Sequence, residues 1–247
     1  MSDPTSTRIQ PLVALRALRA LLRDREDTRQ AFLLVEALRG KTTLRQFARF
    51  CETDAGRALL AEKPSLLARL SDRKSLAALP PGSLGRAYFD FLNEENLSAE
   101  GLVEASKIRA TQPSDNDLTW FRERNREMHD LLHVTAGYGR DPLGEACVLA
   151  FTFAQNRGKG AAVIATVGAW RNLRRLKTLR APRAVWEAYR QGGRAGWLIA
   201  ADWENLLAQP LAAVRARFRV AAPTQYPQLR ERSAAVVAAE EARLAAA

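Results

Sequence analysis

The chain has 247 residues, of which 47% are hydrophobic and 26% charged, a balance typical of a globular protein with a substantial core. Its two cysteines, Cys51 and Cys147, lie far apart and form no CxxC pair, so a reducing compartment is favoured over a disulfide framework. No stretch approaches the roughly 18 apolar residues of a membrane span, and no signal-peptide pattern is evident. These features argue against a disulfide-rich secreted module and against a transmembrane protein.

The net charge of +11 is concentrated in the C-terminal part of the chain. Residues 1–156 contain 22 Lys and Arg against 21 Asp and Glu, whereas residues 157–247 contain 16 against 6. A basic half of this kind is able to face nucleic acid, anionic lipid or an acidic ligand. An Arg-rich composition without a specific anionic partner explains the excess equally well.

Helical periodicity dominates the sequence, and no strand-like alternation of useful length occurs. Gly40 is a predicted C-cap, Pro64 ends a helix, and the Pro-Pro-Gly tripeptide at 80–82 breaks the chain. In chain order the predicted helices cover 10–24, 28–39, 42–53, 54–63, 65–79 as one helix or two, 98–110, 117–134 and 143–156, while the segment 83–92 is compact and aromatic. Further helices are predicted at 161–170, 173–179 and 183–190, separated by Pro182 and by Gly192-Gly193, and a helix resumes at Pro210. The Ala-rich tail over 233–247 is helical or frayed. We therefore expect an all-α fold, a single multi-helix domain over residues 1–247.

The only two histidines, His129 and His133, lie four positions apart in one predicted helix. Residues at this spacing differ by about 40° around the helix axis, so both imidazoles can point at one atom. Asp130 is able to reach the same point or to orient a histidine. Glu145 lies in the first turn of the next predicted helix, and a helix–turn–helix hairpin would return it towards the histidines.

Two imidazoles and two carboxylates form a ligand set for Zn²⁺ or Fe²⁺, so one divalent metal ion is predicted at these four residues. Ordinary roles remain open, because Arg126 and Asp130 suit an i,i+4 ion pair and Glu145 suits a helix N-terminus. The zincin pattern HExxH is absent because Asp130 follows the first histidine. An HD-type phosphohydrolase would need another histidine upstream, and the sequence has no G-x-S-x-G elbow, P-loop or GxGxxG.

The pattern His129-Asp130-x-x-His133, then eleven residues, then Glu145 resembles the signature of the Coq-four family of ubiquinone (coenzyme Q) biosynthesis proteins. Other segments are similar to this family as well, at 81–88, 187–190, 202–204 and 210–215. The resemblance extends over roughly residues 10–230.

The resemblance implies an all-α homodimer that binds one divalent metal ion, Zn²⁺ or Fe²⁺, through the motif residues His129, Asp130, His133 and Glu145. It implies an enzyme that acts on polyprenylated 4-hydroxybenzoate by oxidative decarboxylation, replacing the C1 carboxylate with a hydroxyl. Arg126 is a candidate for binding the substrate carboxylate. The expected partners are the polyprenylated aromatic lipid, other ubiquinone-biosynthesis proteins and a membrane surface, and the expected location is the bacterial cytoplasm, peripheral to the inner membrane face.

Two other functions remain open. The first is a non-catalytic polyprenyl-lipid-binding scaffold that holds a structural metal and organises other ubiquinone-biosynthesis enzymes. The second is an Arg-rich helical nucleic-acid binder, which leaves the paired histidines unexplained, so nucleic acid is not an expected partner. For the lipid, the candidate contacts are the apolar segment 161–170 and the amphipathic basic helix at 10–24, which also suits an ordinary surface helix.

Overall fold

A computed structural model of the protein describes residues 8–23, 28–94 and 116–245. The regular structure of these residues is α-helical, apart from one 3-10 turn at Leu198–Ala200, and contains no β-strand. The α-helices are α1 Pro11–Arg23, α2 Thr28–Ala37, α3 Thr42–Glu52, α4 Asp54–Glu62, α5 Leu66–Ser71, α6 Arg73–Ala77, α7 Leu84–Glu94, α8 Asp117–Glu127, α9 His129–Ala136, α10 Pro142–Asn156, α11 Lys159–Leu176, α12 Arg180–Arg194, α13 Trp203–Leu206, α14 Leu211–Phe218 and α15 Pro227–Ala245. The all-α prediction is confirmed, and the helix predicted over 98–110 lies outside the described residues. None of the described helices combines the length and apolar character needed to cross a bilayer.

The helices pack as two compact units, and the first contains the described parts of 1–45, 138–194 and 223–247. Helix α10 packs against both α11 and α12, while α11 also packs against α2 and α15. Close packing depends on small residues, because a Cβ on Gly192 would lie only 2.4 Å from the Phe151 carbonyl oxygen. Helix α12 can therefore approach α10 only with glycine at this position.

The second unit contains the described parts of 46–137 together with 195–222. Helix α9 packs here against α7, α8 and α14, and every residue from Leu131 to Ala136 is buried. An aromatic cluster lies in the same unit, with the ring centroids of Phe50 and Phe121 5.0 Å apart. The helix that carries both histidines is thus enclosed by its neighbours, as expected for a helix apolar on most of its circumference.

The helix predicted over 117–134 is in fact two helices. Helix α8 ends at Glu127 and α9 begins at His129, with Met128 between them at a ψ of −3°. Neither Pro nor Gly occurs at this break, so the sequence carries no signal for it. The sequence predicts Asp117 as the N-cap of this helix, but the N-cap is Asn116, whose side chain accepts a hydrogen bond from the Leu118 N–H.

The prediction of separate segments between 161 and 190 is also wrong. Residues 159–176 form the continuous helix α11, and the connection to α12 lies at 177–179. Pro182 falls in the first turn of α12 and not between helices. Proline is tolerated there because the first N–H groups of a helix have no intrahelical acceptor to lose.

Candidate metal centre

Helix α9 is short and has a well-defined C-terminal end. Gly137 follows its last residue with a φ of 79°, and the Gly137 N–H donates to the His133 carbonyl oxygen at 2.8 Å. This left-handed C-cap is the conformation that glycine adopts without steric cost. Because the His133 carbonyl oxygen accepts the capping hydrogen bond, the cap fixes the backbone of His133 in the last turn of the helix.

His129, Asp130 and His133 are brought together as the sequence predicted. One ligand atom from each lies within 4.8 Å of the other two, and the two Nε2 atoms are 3.3 Å apart. Two nitrogen ligands of a tetrahedral zinc ion, each about 2.0–2.1 Å from the metal, are separated by about the same distance. Two protonated imidazoles would repel each other at this separation, so the pair requires a shared proton or a shared cation.

The two histidines differ in their surroundings. His133 is completely buried and its ring stacks on Phe91, with the centroids 5.7 Å apart. His129 and Asp130 are only partly buried, and the His129 ring lies edge-on to His133 at 84°. The cluster is therefore fixed on its inner side by His133 and accessible on the side of His129 and Asp130.

Glu145, the fourth predicted ligand, lies in the first turn of α10. It belongs to the first unit, whereas the other three residues belong to the second. Within its own unit its carboxylate lies 3.9 Å from the Arg140 guanidinium, and both side chains are about one-third exposed. Its role as a ligand, and the helix–turn–helix hairpin that would deliver it, remain predictions.

Arg215 on α14 holds the C-terminal end of the histidine helix, a role that the sequence did not indicate. Its Nε donates to the Thr135 carbonyl oxygen at 2.9 Å and its Nη2 donates to that of Val134 at 3.0 Å. The last four carbonyl groups of a helix lack intrahelical donors, and a cation also complements the negative end of the helix dipole. Burial lowers the pKa of the Arg215 guanidinium, which nonetheless remains charged.

Replacing Arg215 with methionine is expected to lower the free energy of unfolding by about 2–3 kcal/mol, because it removes two charge-assisted hydrogen bonds to buried carbonyl groups. Urea denaturation followed by circular dichroism measures the effect. Arg217→Met on the same helix is the matched control, because Arg217 is exposed and its loss should cost less than about 0.5 kcal/mol. Equal effects for the two variants would contradict the role given to Arg215.

The start of α10, which carries Glu145, is held by a separate hydrogen-bond network within the first unit. The Asp141 carboxylate caps the helix by accepting from the N–H groups of Leu143 at 3.1 Å and Gly144 at 3.4 Å. The buried Tyr226 hydroxyl donates to Asp141 and accepts from the Gly139 N–H at 2.9 Å. Burial, with a further contribution from the Asp141 carboxylate, raises the pKa of Tyr226 well above its usual range.

This network predicts a loss of stability at high pH. Because its pKa is raised in the folded chain, Tyr226 keeps its proton there while the unfolded chain ionises above about pH 10. Its contribution is therefore complete below about pH 10 and declines above it, by at most about 1.4 kcal/mol per pH unit. Tyr226→Phe should cost about 1 kcal/mol at neutral pH and show a shallower decline in alkali.

Unfolding free energies measured from pH 8 to 11 for the wild type and Tyr226→Phe provide the test. Other titrating groups are common to both proteins and cancel in the difference. Burial also raises the pKa of Tyr138, so the slope should be reduced and not abolished. If the unfolding free energies of the two proteins decline in parallel with pH, the role assigned to the raised pKa of Tyr226 is refuted.

The chain is thus an all-α protein that carries a histidine and aspartate cluster of metal-ligand type on an enclosed helix. It belongs to the family described as coenzyme Q (ubiquinone) biosynthesis protein Coq4, whose sequence profile matches residues 8–224. The family resemblance predicted from the motif is confirmed, and with it a role in ubiquinone biosynthesis.

Individual relatives and a solved structure agree with this placement. The mitochondrial ubiquinone biosynthesis protein COQ4 homolog of Danio rerio is 28% identical over 221 residues, which are 89% of this chain and 79% of that protein. The Rattus norvegicus homolog is 30% identical over 174 residues, 70% of this chain and 63% of the rat protein. A crystal structure from Nostoc punctiforme, described as that of a ubiquinone biosynthesis protein, covers 87% of this chain and 100% of its own with a TM-score of 0.63 at 21% identity, which shows a shared fold.

Proposed function

We propose that this protein is a metal-dependent enzyme of ubiquinone biosynthesis that converts polyprenylated 4-hydroxybenzoate by oxidative decarboxylation at C1. The observation that carries the proposal is the convergence of His129, Asp130 and His133 within 4.8 Å in a member of the Coq4 family. Three donors from one helix turn, one of them completely buried, form a more ordered arrangement than a surface cluster of polar side chains.

The donor set suits one divalent cation, Zn²⁺ or Fe²⁺, held by His129, Asp130 and His133 with Glu145 as the proposed fourth ligand. When bound, such a cation supplies Lewis-acid stabilisation of charge on a carboxylate or phenolate oxygen. His133, packed on Phe91, keeps the inner side of the centre free of solvent. His129 and Asp130 line the accessible side, from which the substrate ring would approach.

The proposed reaction breaks the bond between ring carbon C1 and the carboxylate and forms a bond between C1 and oxygen. The aryl carboxylic acid, water and dioxygen give the phenol, carbon dioxide and hydrogen peroxide, so the ring loses two electrons and dioxygen accepts them. Dioxygen, or an electron acceptor on a partner protein in its place, is thus a required co-reactant. The proposed role of the chain's own residues is to hold the substrate carboxylate, and with it the bond to C1, beside the donor cluster.

Arg126 is the proposed binding residue for the substrate carboxylate, since a guanidinium can donate two parallel hydrogen bonds to it. It lies in the last turn of α8, directly before the histidine helix, and is partly buried. The long prenyl chain favours burial by about 0.8 kcal/mol per CH₂ group, which explains why the substrate would be collected at a membrane surface. The proposed setting is the bacterial cytoplasm at the inner membrane face, with the protein as a homodimer beside other ubiquinone-biosynthesis proteins.

Metal analysis of the purified protein, followed by anaerobic reconstitution with Fe²⁺ or Zn²⁺ and exposure to dioxygen with a prenylated 4-hydroxybenzoate, tests the proposal. The expected result is about one metal ion per chain and release of carbon dioxide with a hydroxylated ring. Retained metal without product under both reconstitutions would support the scaffold function instead.

The variant Glu145→Ala further distinguishes the proposed enzyme from the scaffold function. An enzyme predicts a folded variant that has lost turnover, whereas a scaffold with a structural metal predicts a variant that unfolds. Asp54→Ala is the matched control, because Asp54 is likewise in the first turn of a helix but is exposed in α4. It should leave both metal content and turnover unchanged.

A further inference from the structure

Helix α12 turns one side towards the interior of the first unit and the opposite side to solvent. Its buried side, which includes Ala184, Ala188 and Gly192, packs against α10 and α11. Four exposed residues follow each other along the helix at intervals of three, four and four positions. These positions fall within about 80° of one another around the helix axis, almost opposite the buried side. We call them the α12 stripe: Arg183, Trp186, Arg190 and Arg194.

The charge of the α12 stripe is not neutralised within the described part of the chain. Its three arginines form no ion pair with any residue that the structure describes. Glu187 is the one acidic residue of the helix, and its carboxylate is engaged elsewhere. It accepts hydrogen bonds from the Thr224 hydroxyl at 2.6 Å and from the N–H groups of Thr224 and Gln225, both at 2.9 Å. The stripe therefore presents a row of cations that complements an acidic surface.

The tryptophan of the α12 stripe is exposed and yet held in one orientation. Trp186 is 60% exposed, and its ring stacks on Tyr189 with the centroids 5.3 Å apart and the planes 24° apart. Tyr189 in turn stacks on Phe153 of α10 at 5.6 Å, and its hydroxyl accepts a hydrogen bond from the Arg157 guanidinium at 3.2 Å. A side chain fixed in this way loses little conformational entropy when a partner covers it.

We propose that the α12 stripe is the docking site for an acidic helix of a partner protein. Tryptophan and arginine are the residues that dominate the energetic centres of protein interfaces, whereas lysine and acidic residues are depleted there. The stripe contains only the favoured types. A partner helix with Asp or Glu at intervals of three or four residues presents its carboxylates in a matching row, and each carboxylate can accept two parallel hydrogen bonds from a guanidinium.

A bilayer fits the α12 stripe less well than a protein does. A helix that lies in a membrane interface directs its apolar side to the lipid, whereas the apolar side of α12 is turned towards α10 and the stripe offers a single apolar ring. The inference rests on the proposed setting beside other ubiquinone-biosynthesis proteins. It does not rest on the proposed metal centre, because His129, Asp130 and His133 belong to the other unit.

Photo-cross-linking of the full chain in cells of its source organism tests the proposal, with photoreactive p-benzoylphenylalanine in place of Trp186. Mass spectrometry of the cross-linked product should identify a protein segment with Asp or Glu at intervals of three or four residues. The same group in place of the exposed Ala216, in the second unit, should not capture this segment. Cross-links to lipid or nucleic acid alone, to a protein segment without such acids, or to nothing would overturn the proposal.

A synthetic peptide of the captured segment then measures the contribution of each residue through fluorescence anisotropy. Trp186→Ser should weaken binding about thirtyfold, as expected for the centre of an interface. Arg183→Glu/Arg190→Glu should weaken it about a hundredfold, and exchanging two acidic residues of the peptide for arginine should restore most of the loss. Arg45→Glu/Arg69→Glu changes exposed arginines elsewhere and should alter the affinity less than about threefold.

Circular dichroism, metal content and turnover of these variants should match the wild type, so a failure of this proposal is distinguishable from a failure of the proposed enzyme function. Equal affinity of Trp186→Ser and the wild type for the peptide would overturn the proposal. So would a charge exchange that restores none of the lost affinity.

Discussion

His133→Gln is expected to abolish tight metal binding and turnover while the protein stays folded. Even the loss of a residue that only orients a ligand lowers metal affinity by about 10–100-fold, so loss of His133 as a proposed ligand should lower it roughly a hundredfold or more. Glutamine is preferred over alanine because His133 is completely buried against Phe91, and alanine would add the cost of a cavity. The side chain of glutamine fills most of the same space without an imidazole nitrogen.

Equilibrium dialysis against Fe²⁺ or Zn²⁺, with metal quantified by mass spectrometry, measures the change. Asp130→Asn should give a smaller loss, because the amide oxygen keeps the shape of the carboxylate but not its charge. Asp117→Asn is the control, since Asp117 is also in the first turn of a helix but lies at the far end of α8. If His133→Gln binds metal as the wild type does, the centre is not where the three donors converge.

The three donors on α9 could be predicted because the evidence for them is local. Two histidines four positions apart meet on any helix, and Gly137 is a strong signal for the end of that helix. The helix break at Met128, one residue before His129, could not be predicted, because a change of direction without Pro or Gly is set by packing and leaves no mark in the sequence. The i,i+4 pairing of Arg126 with Asp130, which the sequence left open, assumes one continuous helix, and the structure contains two helices here.

The contacts that hold the centre in place could not be predicted, because they join residues far apart in the sequence. Arg215 reaches the end of α9 from about 80 positions away, and Arg124 reaches Glu204 over the same separation. The sequence contains many arginines, and nothing in it distinguishes these two buried ones from the many that are exposed. Glu145 is a different case, because its position depends on the path of the loop that joins α9 to α10. The spacing of the motif does not give the direction in which α10 leaves this loop.

Arg124→Met is expected to lower the free energy of unfolding by about 3–5 kcal/mol, the loss found when one partner of a buried ion pair is removed. The Arg124 side chain is 3% exposed and that of Glu204 is 9% exposed. The guanidinium binds the Glu204 carboxylate with two hydrogen bonds of 2.6 and 2.7 Å and also donates to the Ala201 carbonyl oxygen at 3.1 Å. Without the arginine, the Glu204 carboxylate stays buried with no compensating charge.

The double variant Arg124→Met/Glu204→Met shows whether the loss comes from the uncompensated charge. Because replacing a whole buried pair with apolar side chains is often neutral, it should recover most of the stability lost in the single variant. Lys63→Gln is the control for an exposed pair: Lys63 lies 2.8 Å from Asp117 with side chains 35% and 53% exposed, and its loss should cost less than about 1 kcal/mol. If the double variant is as unstable as the single one, packing of the arginine stem and not charge accounts for the effect.

The stability of this pair also bears on the proposed metal centre, because α8 leads directly into the histidine helix. Arg124→Met is expected to release metal only as the protein unfolds, so the midpoints for metal release and for loss of helical signal in urea should coincide. In His133→Gln, by contrast, metal affinity falls while the helical signal persists. The two variants thus separate a proposed metal ligand from a residue that maintains the helix on which the proposed ligands lie. A loss of metal in Arg124→Met well before unfolding would place Arg124 among the proposed ligands.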